Sequence, residues 1–287
     1  MKSASLVAAR AFTAIKEALR GRVPRAVAYS AYLKALFQNE VELRLLSLLC
    51  NRDEVTIDVG AYTGTYTIGL SIHSKSVIAV EPQSRQAAAL RRAMPSNVTV
   101  LETALSNVAG RAVMKLSSPG GGSMSRLDGG LSSTEEWPEL LVRLMRMDEL
   151  RTARVGFVKI DAEGHELEVL RGAHNILQLD KPHIIVEAEE RYDVGAVSRV
   201  DGFLHGFGYD GYFVRREQIL SIGEFNVERD QNPKLLVSGQ RRAYRDYINN
   251  FIFLHPARVT NMPKTLPSPW HAIYNTIRGF RPKQKTT

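Results

Sequence analysis

Cysteine and long apolar runs are almost missing from this 287-residue sequence. It contains one cysteine, Cys50, which excludes an intrachain disulfide and a metal site built from a cysteine cluster. No apolar run approaches the ~20 residues that a membrane-spanning helix needs. Hydrophobic residues make up 44% of the chain and charged residues 24%, as in ordinary globular proteins. This length and composition suit one α/β core with additions.

Acidic residues are missing from the last part of the chain, and the net charge of +8 is unevenly distributed. Residues 1–50 contain eight Lys and Arg against three acidic residues, and residues 251–287 contain six against none. The 200 residues between them therefore carry a net charge of −3. Basic ends favour contact with an anionic membrane, a glycolipid or RNA, or simply aid solubility. The acidic centre argues against a nucleic-acid substrate.

The first 50 residues are predicted to form a helical extension. Apolar residues recur at helical spacing from Leu6 to Leu19, without the continuous apolar segment of a secretory signal. The pattern predicts an amphipathic helix that packs on the protein, with membrane-surface attachment as the alternative. We therefore expect a cytoplasmic protein, with peripheral membrane contact and homo-oligomer formation left open. The predicted boundaries are an extension over 1–50, a central domain over 51–255 and a basic tail over 256–287.

From residue 55 onward, short β-branched runs alternate with helical stretches, a pattern typical of a parallel sheet wrapped by helices. Seven strands are predicted, at Val55–Val59, Ser76–Val80, Val98–Leu101, Val155–Ile160, His183–Glu187, Tyr212–Val214 and Phe251–Leu254. Helices are predicted between them at Thr65–His73, Ser84–Met94, Glu166–Leu179 and Val197–Phe207.

Two regions interrupt this alternation. The first holds a predicted strand pair, Ala112–Leu116 and Leu141–Met147, on either side of a segment rich in Gly, Ser and Pro. The second is the polar stretch 215–250, predicted as a long excursion before the last strand. Because long loops at the carboxyl edge of such a sheet are often functional, we expect Ser117–Ser125 and 215–250 to act as lids.

A glycine-containing segment, residues 58–64, directly follows the apolar run of residues 55–57. It predicts a buried strand that enters a glycine turn and then a helix, the geometry that brings backbone N–H groups close to a nucleotide-like ligand. Seventeen residues after Gly64, the next predicted strand ends at Glu81 and Pro82. A carboxylate at that position can accept both hydroxyls of a ribose.

The spacing of the glycines indicates which nucleotide is bound. Dinucleotide sites use Gly-x-Gly-x-x-Gly, whereas this chain has Gly60-x-x-x-Gly64 preceded by Asp58. A carboxylate in the turn is unsuited to a pyrophosphate and suits a cationic ligand. S-adenosylmethionine carries a sulfonium, an ammonium and a ribose without a phosphate, and is the predicted cofactor. A nicotinamide cofactor and a purely structural turn with a solvated Asp58 are the alternatives.

Beyond this motif, the sequence resembles the FkbM family of S-adenosylmethionine-dependent methyltransferases over roughly residues 40–255. The blocks that carry the resemblance are Thr56–Ala61 with Gly64, Ala79–Pro82, Ala104–Asn107, and Met147–Leu150 leading into Val158–Glu166. The family commonly has Asn where this chain has Tyr62, and segments 1–40 and 256–287 lie outside the match.

The resemblance implies a class I methyltransferase fold, an α/β Rossmann-like sheet of seven mostly parallel strands flanked by helices, here with an N-terminal helical extension. It also implies methyl transfer, usually to oxygen, on a sugar, glycolipid or natural product. The acceptor is thus expected to be a small molecule or a glycan. An RNA methyltransferase and a non-catalytic subunit with this fold are the alternatives. The predicted cofactor-binding residues are Asp58, Gly60, Ala61, Tyr62, Gly64, Glu81, Pro82, Ala104 and Asp161.

Methyl transfer to a hydroxyl requires alignment and removal of the acceptor proton. Side chains at the carboxyl ends of neighbouring strands converge where open α/β sheets bind ligands, and the predicted catalytic residues are Asp161, Glu163, His165 and Glu187. Each has an alternative without a catalytic role. Glu163 could be a carboxylate in the first turn of a helix, His165 a surface histidine and Glu187 part of an exposed acidic edge. Three of these carboxylates could instead hold Mg²⁺, although no metal site is predicted.

Overall fold

The structure is a computed structural model that describes residues 24–37, 40–116, 138–150, 152–236, 247–258 and 262–279. Its strands are β1 (Val55–Val59), β2 (Ser76–Val80), β3 (Val98–Leu101), β4 (Ala104–Leu105), β5 (Gly110–Lys115), β6 (Glu139–Met145), β7 (Val155–Ile160), β8 (His183–Glu187), β9 (Asp210–Arg215), β10 (Gln218–Ser221) and β11 (Asn250–Leu254). Its α-helices are α1 (Pro24–Phe37), α2 (Leu46–Leu49), α3 (Thr65–His73), α4 (Ser84–Ala93), α5 (Glu166–Arg171), α6 (Ala196–His205), α7 (Val227–Asp230) and α8 (Pro269–Gly279).

The main sheet has eight strands in the order β10-β9-β11-β8-β7-β1-β2-β3, and a small sheet has the order β4-β6-β5. Strands β1, β2, β3, β7 and β8 pair in parallel, whereas β11 runs antiparallel to both of its neighbours. This is the predicted mostly parallel Rossmann-like α/β sheet. All seven predicted strands are present, and the eighth is β10, which pairs antiparallel with β9.

Both faces of the main sheet are buried, which explains the continuous apolar runs in its central strands. In β1 all five residues are buried. One face packs against α5 and α6 through residues such as Ile57 and Val158. The other packs against α1 and α3 through residues such as Phe157 and Ile185. The alternation of strands and helices along the sequence therefore places helices on both faces of the main sheet, as expected for this class of fold.

The predicted helix Glu166–Leu179 is interrupted after Arg171. The α-helix ends at Arg171, and a π-helical segment follows at Ile176–Asp180. Gly172 lies so close to the backbone of Ser106 that a Cβ atom there would stand 2.1 Å from the Ser106 carbonyl oxygen. The helix is interrupted at this contact, and helical hydrogen bonding resumes beyond it, where the Leu177 N–H donates to the Ala173 carbonyl at 2.9 Å.

The two ends of the described chain pack against each other. The Tyr32 hydroxyl of α1 lies 3.2 Å from Oγ1 of Thr276 in α8, within hydrogen-bonding distance. The rings of Phe37 and Trp270 meet edge to face with centroids 5.3 Å apart. The boundaries predicted near residues 50 and 255 stay predictions, but these parts of the extension and the tail form one layer on the sheet.

Some expectations fall outside the described residues. These include the amphipathic segment from Leu6 to Leu19, the predicted lid Ser117–Ser125 and part of the 215–250 stretch. The rest of that stretch contains β10, a helical turn at Ile222–Glu224, α7 and a further turn at Pro233–Leu236. In the part of the chain that the structure describes, no helix is long and apolar enough to cross a membrane.

Candidate active site

The glycine turn after β1 depends on a close approach to the neighbouring strand. Gly60 has φ of 78°, in the left-handed region, and a Cβ atom there would stand 1.8 Å from the carbonyl oxygen of Asp161. Only glycine fits, because any other residue would be strained and would collide with backbone. The turn therefore brings the ends of β1 and β7 into direct contact.

The backbone N–H groups of this turn are mostly occupied by protein partners. Those of Gly60 and Ala61 both donate to the Val80 carbonyl at 3.0 Å. Gly64, with φ of 82°, precedes α3, and a Cβ atom there would meet Leu90 and Met94 at under 3 Å. The role of Ala61 and Gly64 is thus to fix the strand–helix connection, whereas Gly60 and Tyr62 line the adjacent cleft.

Glu81 lies at the end of β2, buried at 2% exposure. One of its oxygens accepts the N–H of Tyr62 at 2.9 Å and the other accepts the N–H of Gln83 at 2.8 Å. Burial raises the pKa of Glu81 to about 7, which these two hydrogen bonds oppose. A carboxylate has about four acceptor positions, so Glu81 keeps capacity for two more donors, such as a pair of ribose hydroxyls.

Asp58 does not line the cleft. Its side chain is 2% exposed and accepts a hydrogen bond of 2.5 Å from the hydroxyl of Thr67 in α3. Burial raises the pKa of Asp58 to about 6, and the hydrogen bond from Thr67 opposes this rise. The structure therefore places Asp58 behind the glycine turn, where it joins β1 to α3.

A cleft opens at the carboxyl ends of β1, β2 and β7, where the strand order reverses direction across the sheet. It encloses about 650 Å³, the solvent at its mouth included. Its lining comprises Val59, Gly60, Tyr62, Val80, Glu81, Pro82, Gln83, Ala104, Leu105, Met114, Asp161, Ala162 and Glu163. The cleft thus unites six of the nine predicted cofactor-binding residues with the catalytic candidate Glu163.

Asp161 and Glu163 come from the turn that follows β7. Both Glu163 and Gly164 have positive φ, 52° and 97°, and Glu166 holds this turn by accepting the N–H groups of Ala162 and Gly164. Burial raises the pKa of Glu163 to about 8, the nearby Asp161 adds to the rise, and a hydrogen bond from Tyr192 opposes it. Glu163 is thus an acid whose proton equilibrium lies close to neutral pH.

Lys159, Asp161 and Glu187 form a buried charged group beside the cleft. Nζ of Lys159 lies 3.9 Å from a Glu187 oxygen, and the Lys159 side chain is 2% exposed. Burial raises the pKa of Asp161, while Lys159 and a hydrogen bond with Glu187 lower it. A hydrogen bond between two carboxyl groups requires a proton on one of them. Glu187 therefore reaches the site through Asp161 and does not line the cleft itself.

His165 is not among the residues that line the cleft. Its Nε2 lies 2.9 Å from the hydroxyl of Ser106, and the residue is 9% exposed. This contact joins the turn after β7 to the segment after β4. Among the four catalytic candidates, the structure thus brings Asp161 and Glu163 to the cleft, sets Glu187 behind Asp161 and leaves His165 in a supporting position.

Several residues of the site were not predicted. Gln83 and Leu105 each lie next to a predicted residue, so a wider window around the strand ends would have found them. Met114 comes from β5 in the small sheet, and Tyr192 comes from the loop after β8. No local pattern marks these two residues, because their position depends on how distant segments pack.

The described residues include no group of three His, Cys, Asp or Glu side chains arranged to hold a metal ion. Asp161 and Glu163 line the cleft, whereas Glu187 accepts a hydrogen bond from Asn249 at 2.6 Å and lies beside Lys159.

Comparison with known proteins gives one family match. A family model described as a methyltransferase FkbM domain matches residues 58–210, about half of the chain. No curated protein matches the sequence. The matched range begins at Asp58 and includes Glu81, Asp161 and Glu163.

Solved structures of similar fold include methyltransferase FkbM from Methylobacillus flagellatus, at 15% identity and a TM-score of 0.46. The alignment covers 71% of this chain and 44% of that one, so this chain spans less than half of that protein's length. A precorrin 8w decarboxylase from Methanobacterium thermoautotrophicum aligns at 15% identity and a TM-score of 0.41, covering 75% and 89% of the two chains. A precorrin-6y C5,15-methyltransferase from Geobacter metallireducens aligns at 15% identity and 0.40, covering 74% and 85%.

Proposed function

Because this chain belongs to the FkbM methyltransferase family, we propose that it transfers the methyl group of S-adenosylmethionine to a hydroxyl of a sugar, glycolipid or natural product. The observation that carries the proposal is the shared cleft of Glu81, Asp161 and Glu163. The Glu81 carboxylate suits the hydroxyls of a ribose. The carboxylates of Asp161 and Glu163 suit a cationic methyl donor and an acceptor hydroxyl that must lose its proton.

The residues present fit the cofactor at both of its ends. Glu81 has acceptor capacity left for ribose hydroxyls, and the apolar side chains of Leu105 and Met114 line the same cleft, where a flat base can pack. Asp161, whose ionised form Lys159 stabilises, offers negative charge to a sulfonium or an ammonium, and Glu163 adds to it when it loses its proton near pH 8. When bound, S-adenosylmethionine supplies an electrophilic methyl group, and the chain must supply alignment and proton removal.

A pyrophosphate-containing cofactor fits this cleft less well. The N–H groups of Gly60 and Ala61 are already bonded to Val80, so they do not point at a phosphate. Three carboxyl groups line the cleft, and they would repel phosphate oxygens. Both features support a phosphate-free, cationic cofactor over a dinucleotide.

Asp161 and Glu163 are the side chains placed to accept the acceptor proton. General bases act best when their pKa lies near the working pH, and burial brings the pKa of Glu163 to about 8. Lys159 stabilises the ionised form of Asp161. In this scheme Glu163 or Asp161 withdraws the proton while the hydroxyl oxygen attacks the methyl group in line.

The test uses the purified full-length protein. Calorimetric titration with S-adenosylmethionine, its demethylated product and NAD measures which cofactor binds, and micromolar affinity for the first two is expected. Incubation of cell extracts with a cofactor carrying an isotopically labelled methyl group, followed by mass spectrometry, identifies the acceptor. Tight binding of NAD without binding of the methyl donor contradicts the proposal, as does label found on RNA instead of a hydroxylated metabolite or glycan.

A further inference from the structure

A second polar cluster lies against the cleft on the α3 side of the sheet. We call it the Glu42 cluster and define it as Glu40, Glu42, Tyr66 and Lys159. Glu42 belongs to the helical turn Val41–Leu45, just N-terminal to the sheet, and Glu40 precedes that turn. The ammonium group of Lys159 lies 5.0 Å from the ring centroid of Tyr66.

The cluster adjoins the candidate active site through Asp161. Asp161 lines the cleft, and its charge acts on Glu40, whose carboxyl also lies within electrostatic reach of Lys159. Glu40 and Lys159 in turn act on Glu42. A ligand group placed between these side chains would thus lie next to the carboxylate proposed to receive the acceptor proton.

Polar atoms of this cluster are buried without hydrogen bonds of good geometry. Oε2 of Glu40, Oε2 of Glu42 and the hydroxyl of Tyr66 are shielded from solvent in this way within the described part of the chain. The Tyr66 hydroxyl lies close enough to Glu40 to act on its pKa, so Oε2 of Glu42 is the atom left without a donor. The Glu42 residue is only 5% exposed. An unsatisfied buried polar group costs about 1–3 kcal/mol, and more when it is charged. Such groups therefore point to a ligand that completes them.

The nearby cations do not neutralise these carboxyls. Arg44 is 3% exposed and directs its guanidinium to the carbonyl of Leu36 and to Glu217, the latter at 2.6 Å. Lys159 donates to the Ile160 carbonyl and lies beside Glu187. In agreement, burial raises the pKa of Glu42 to about 8, with the neighbouring Glu40 as the second cause.

The charge balance identifies the missing group. Oε2 of Glu42 needs a donor. The single ammonium of Lys159 is balanced by the Asp161–Glu187 pair, which shares one proton, so Glu40 and Glu42 have no cation of their own. An anionic group such as a phosphate would be repelled, and a neutral hydroxyl would supply donors without relieving the charge. A protonated amine supplies three donors and a positive charge.

We propose that Glu40, Glu42 and Tyr66 form a recognition site for a protonated amine carried by the methyl acceptor. This inference rests on the proposed methyltransferase function and narrows the acceptor to a hydroxylated amine, such as an amino sugar. The amine binds among the three side chains, and its neighbouring hydroxyl reaches Asp161 and Glu163.

The experiment compares the binding of glucosamine and of glucose, which has a hydroxyl where glucosamine has the amine. Each sugar is titrated by calorimetry into the full-length protein with and without S-adenosylhomocysteine. Glucosamine is expected to bind at least about tenfold more tightly than glucose. Because a protonated Glu42 must ionise to pair with the amine, glucosamine binding at neutral pH should release protons. Proton release is measured as a difference in binding heat between phosphate and HEPES buffers.

Two substitutions and a control test the residues. Glu42→Gln should reduce the preference for glucosamine by about tenfold, and Tyr66→Phe should weaken glucosamine binding while leaving S-adenosylhomocysteine binding unchanged. Glu54→Gln is the matched control, because Glu54 is a similarly buried carboxylate that pairs with Arg258 away from the cluster. If Glu42→Gln does not fold, Glu40→Gln replaces it.

Equal binding of the two sugars, absence of binding by both, or an unchanged preference in Glu42→Gln would overturn the proposal. Failure of the proposed function gives a different result. In that case S-adenosylhomocysteine does not bind, whereas glucosamine still binds and still depends on Glu42. The titrations with and without S-adenosylhomocysteine therefore distinguish failure of the amine site from failure of the methyltransferase function.

Discussion

At the scale of single residues, the site is a set of carboxyl groups with different surroundings. Glu81 accepts two backbone N–H groups, Asp58 accepts a hydroxyl, and Glu163 is paired with Asp161 and Tyr192. Because each group has different partners, their proton equilibria differ and they can perform different tasks.

Glu81→Ala should weaken binding of S-adenosylmethionine by ~1.5–3 kcal/mol, because hydrogen bonds to a charged group are worth this much. Titration calorimetry measures the change. Glu102→Ala is the control, since Glu102 is a more exposed carboxylate that bonds with Ser84 and Arg91 outside the cleft. Equal affinities of wild type and Glu81→Ala would show that the ribose is not bound here.

Asp161→Asn and Glu163→Gln should each lower turnover when the replaced carboxylate is the base, by about 10²–10⁴-fold. Since the pKa of Glu163 lies at about 8, a rate that depends on ionised Glu163 should rise with pH through that value. A histidine base would instead give a rise near pH ~6–7. The pH profile of kcat on the identified acceptor distinguishes these cases.

His165→Gln is the comparison for that experiment. His165 bonds with Ser106 outside the cleft, so its replacement should lower thermal stability more than it lowers turnover. Full turnover in both carboxylate variants would show that neither Asp161 nor Glu163 is the base. A large loss of turnover found only in His165→Gln would show that His165 is catalytic.

At the scale of elements, the cleft exists because β1 and β7 touch at the glycine turn. Gly60 packs directly on the backbone of Asp161, and Gly64 allows α3 to pack near Leu90 and Met94 of the α4 region. Small changes at these contacts are expected to move both strand ends, and with them the carboxylates that they carry.

Gly60→Ala should abolish cofactor binding and lower the Tm, because a Cβ atom would lie 1.8 Å from the Asp161 carbonyl oxygen and φ is positive. Gly202→Ala is the matched control. Gly202 lies in α6 with nothing within 4 Å of its added Cβ, so alanine should stabilise the protein by about 0.5–1 kcal/mol. Thermal unfolding with and without S-adenosylmethionine checks both variants, and a Gly60→Ala protein that binds normally would contradict this packing.

The terminal helix α8 is predicted to be structural in its described part. Ala272 is 4% exposed, whereas the adjacent His271 is exposed. Ala272→Glu should therefore lower the Tm by several degrees, since it buries an unpaired charge, and His271→Glu should not. The described part of the predicted basic tail, residues 256–287, would then contribute to stability. Equal Tm values for the two variants would show that it does not.

At the scale of the whole molecule, acidic groups with raised pKa values are concentrated around one end of the sheet. Burial is the first cause in each case, and the values are about 6 for Asp58, about 7 for Glu81 and Glu166, and about 8 for Glu42 and Glu163. The folded protein therefore holds protons that the unfolded chain, with carboxyl pKa values near ~4, has already lost.

The stability of the protein should consequently fall as pH rises from about 6.5 to about 8.5. In this range the folded state binds more protons than the unfolded state, so the free energy of unfolding decreases with pH. His73 and His183, whose pKa values burial lowers to about 4, oppose this trend between pH ~6.5 and ~4, because the unfolded chain takes up protons there that these two buried rings do not. Since five acids outnumber two histidines, the histidines should reduce the slope in that range without reversing it.

Thermal unfolding across this pH range in buffers of equal ionic strength tests the prediction. Glu42→Gln should flatten the curve between neutral pH and pH ~8.5, because it removes one of the groups with the highest pKa among these acids. A Tm that rises steadily with pH would show that these acids are ionised in the folded protein.

The sequence by itself determined the sheet and the strand ends that border the cleft. The seven predicted strands, the glycine turn and the positions of Glu81 and Asp161 at strand ends all depend on local periodicity and on residues near in sequence. Strand ends of a parallel sheet meet at one edge, so a correct strand assignment also places the side chains that follow them.

Only the tertiary structure decided which of these side chains enter the cleft. Asp58 bonds with Thr67 and His165 with Ser106, because one short turn of backbone selects the direction of each side chain. Met114 comes to the cleft from a segment with no sequence motif, since packing between distant elements places it there. Local patterns fix where a strand ends, whereas hydrogen bonds and burial formed on folding fix what each residue at that end can bind.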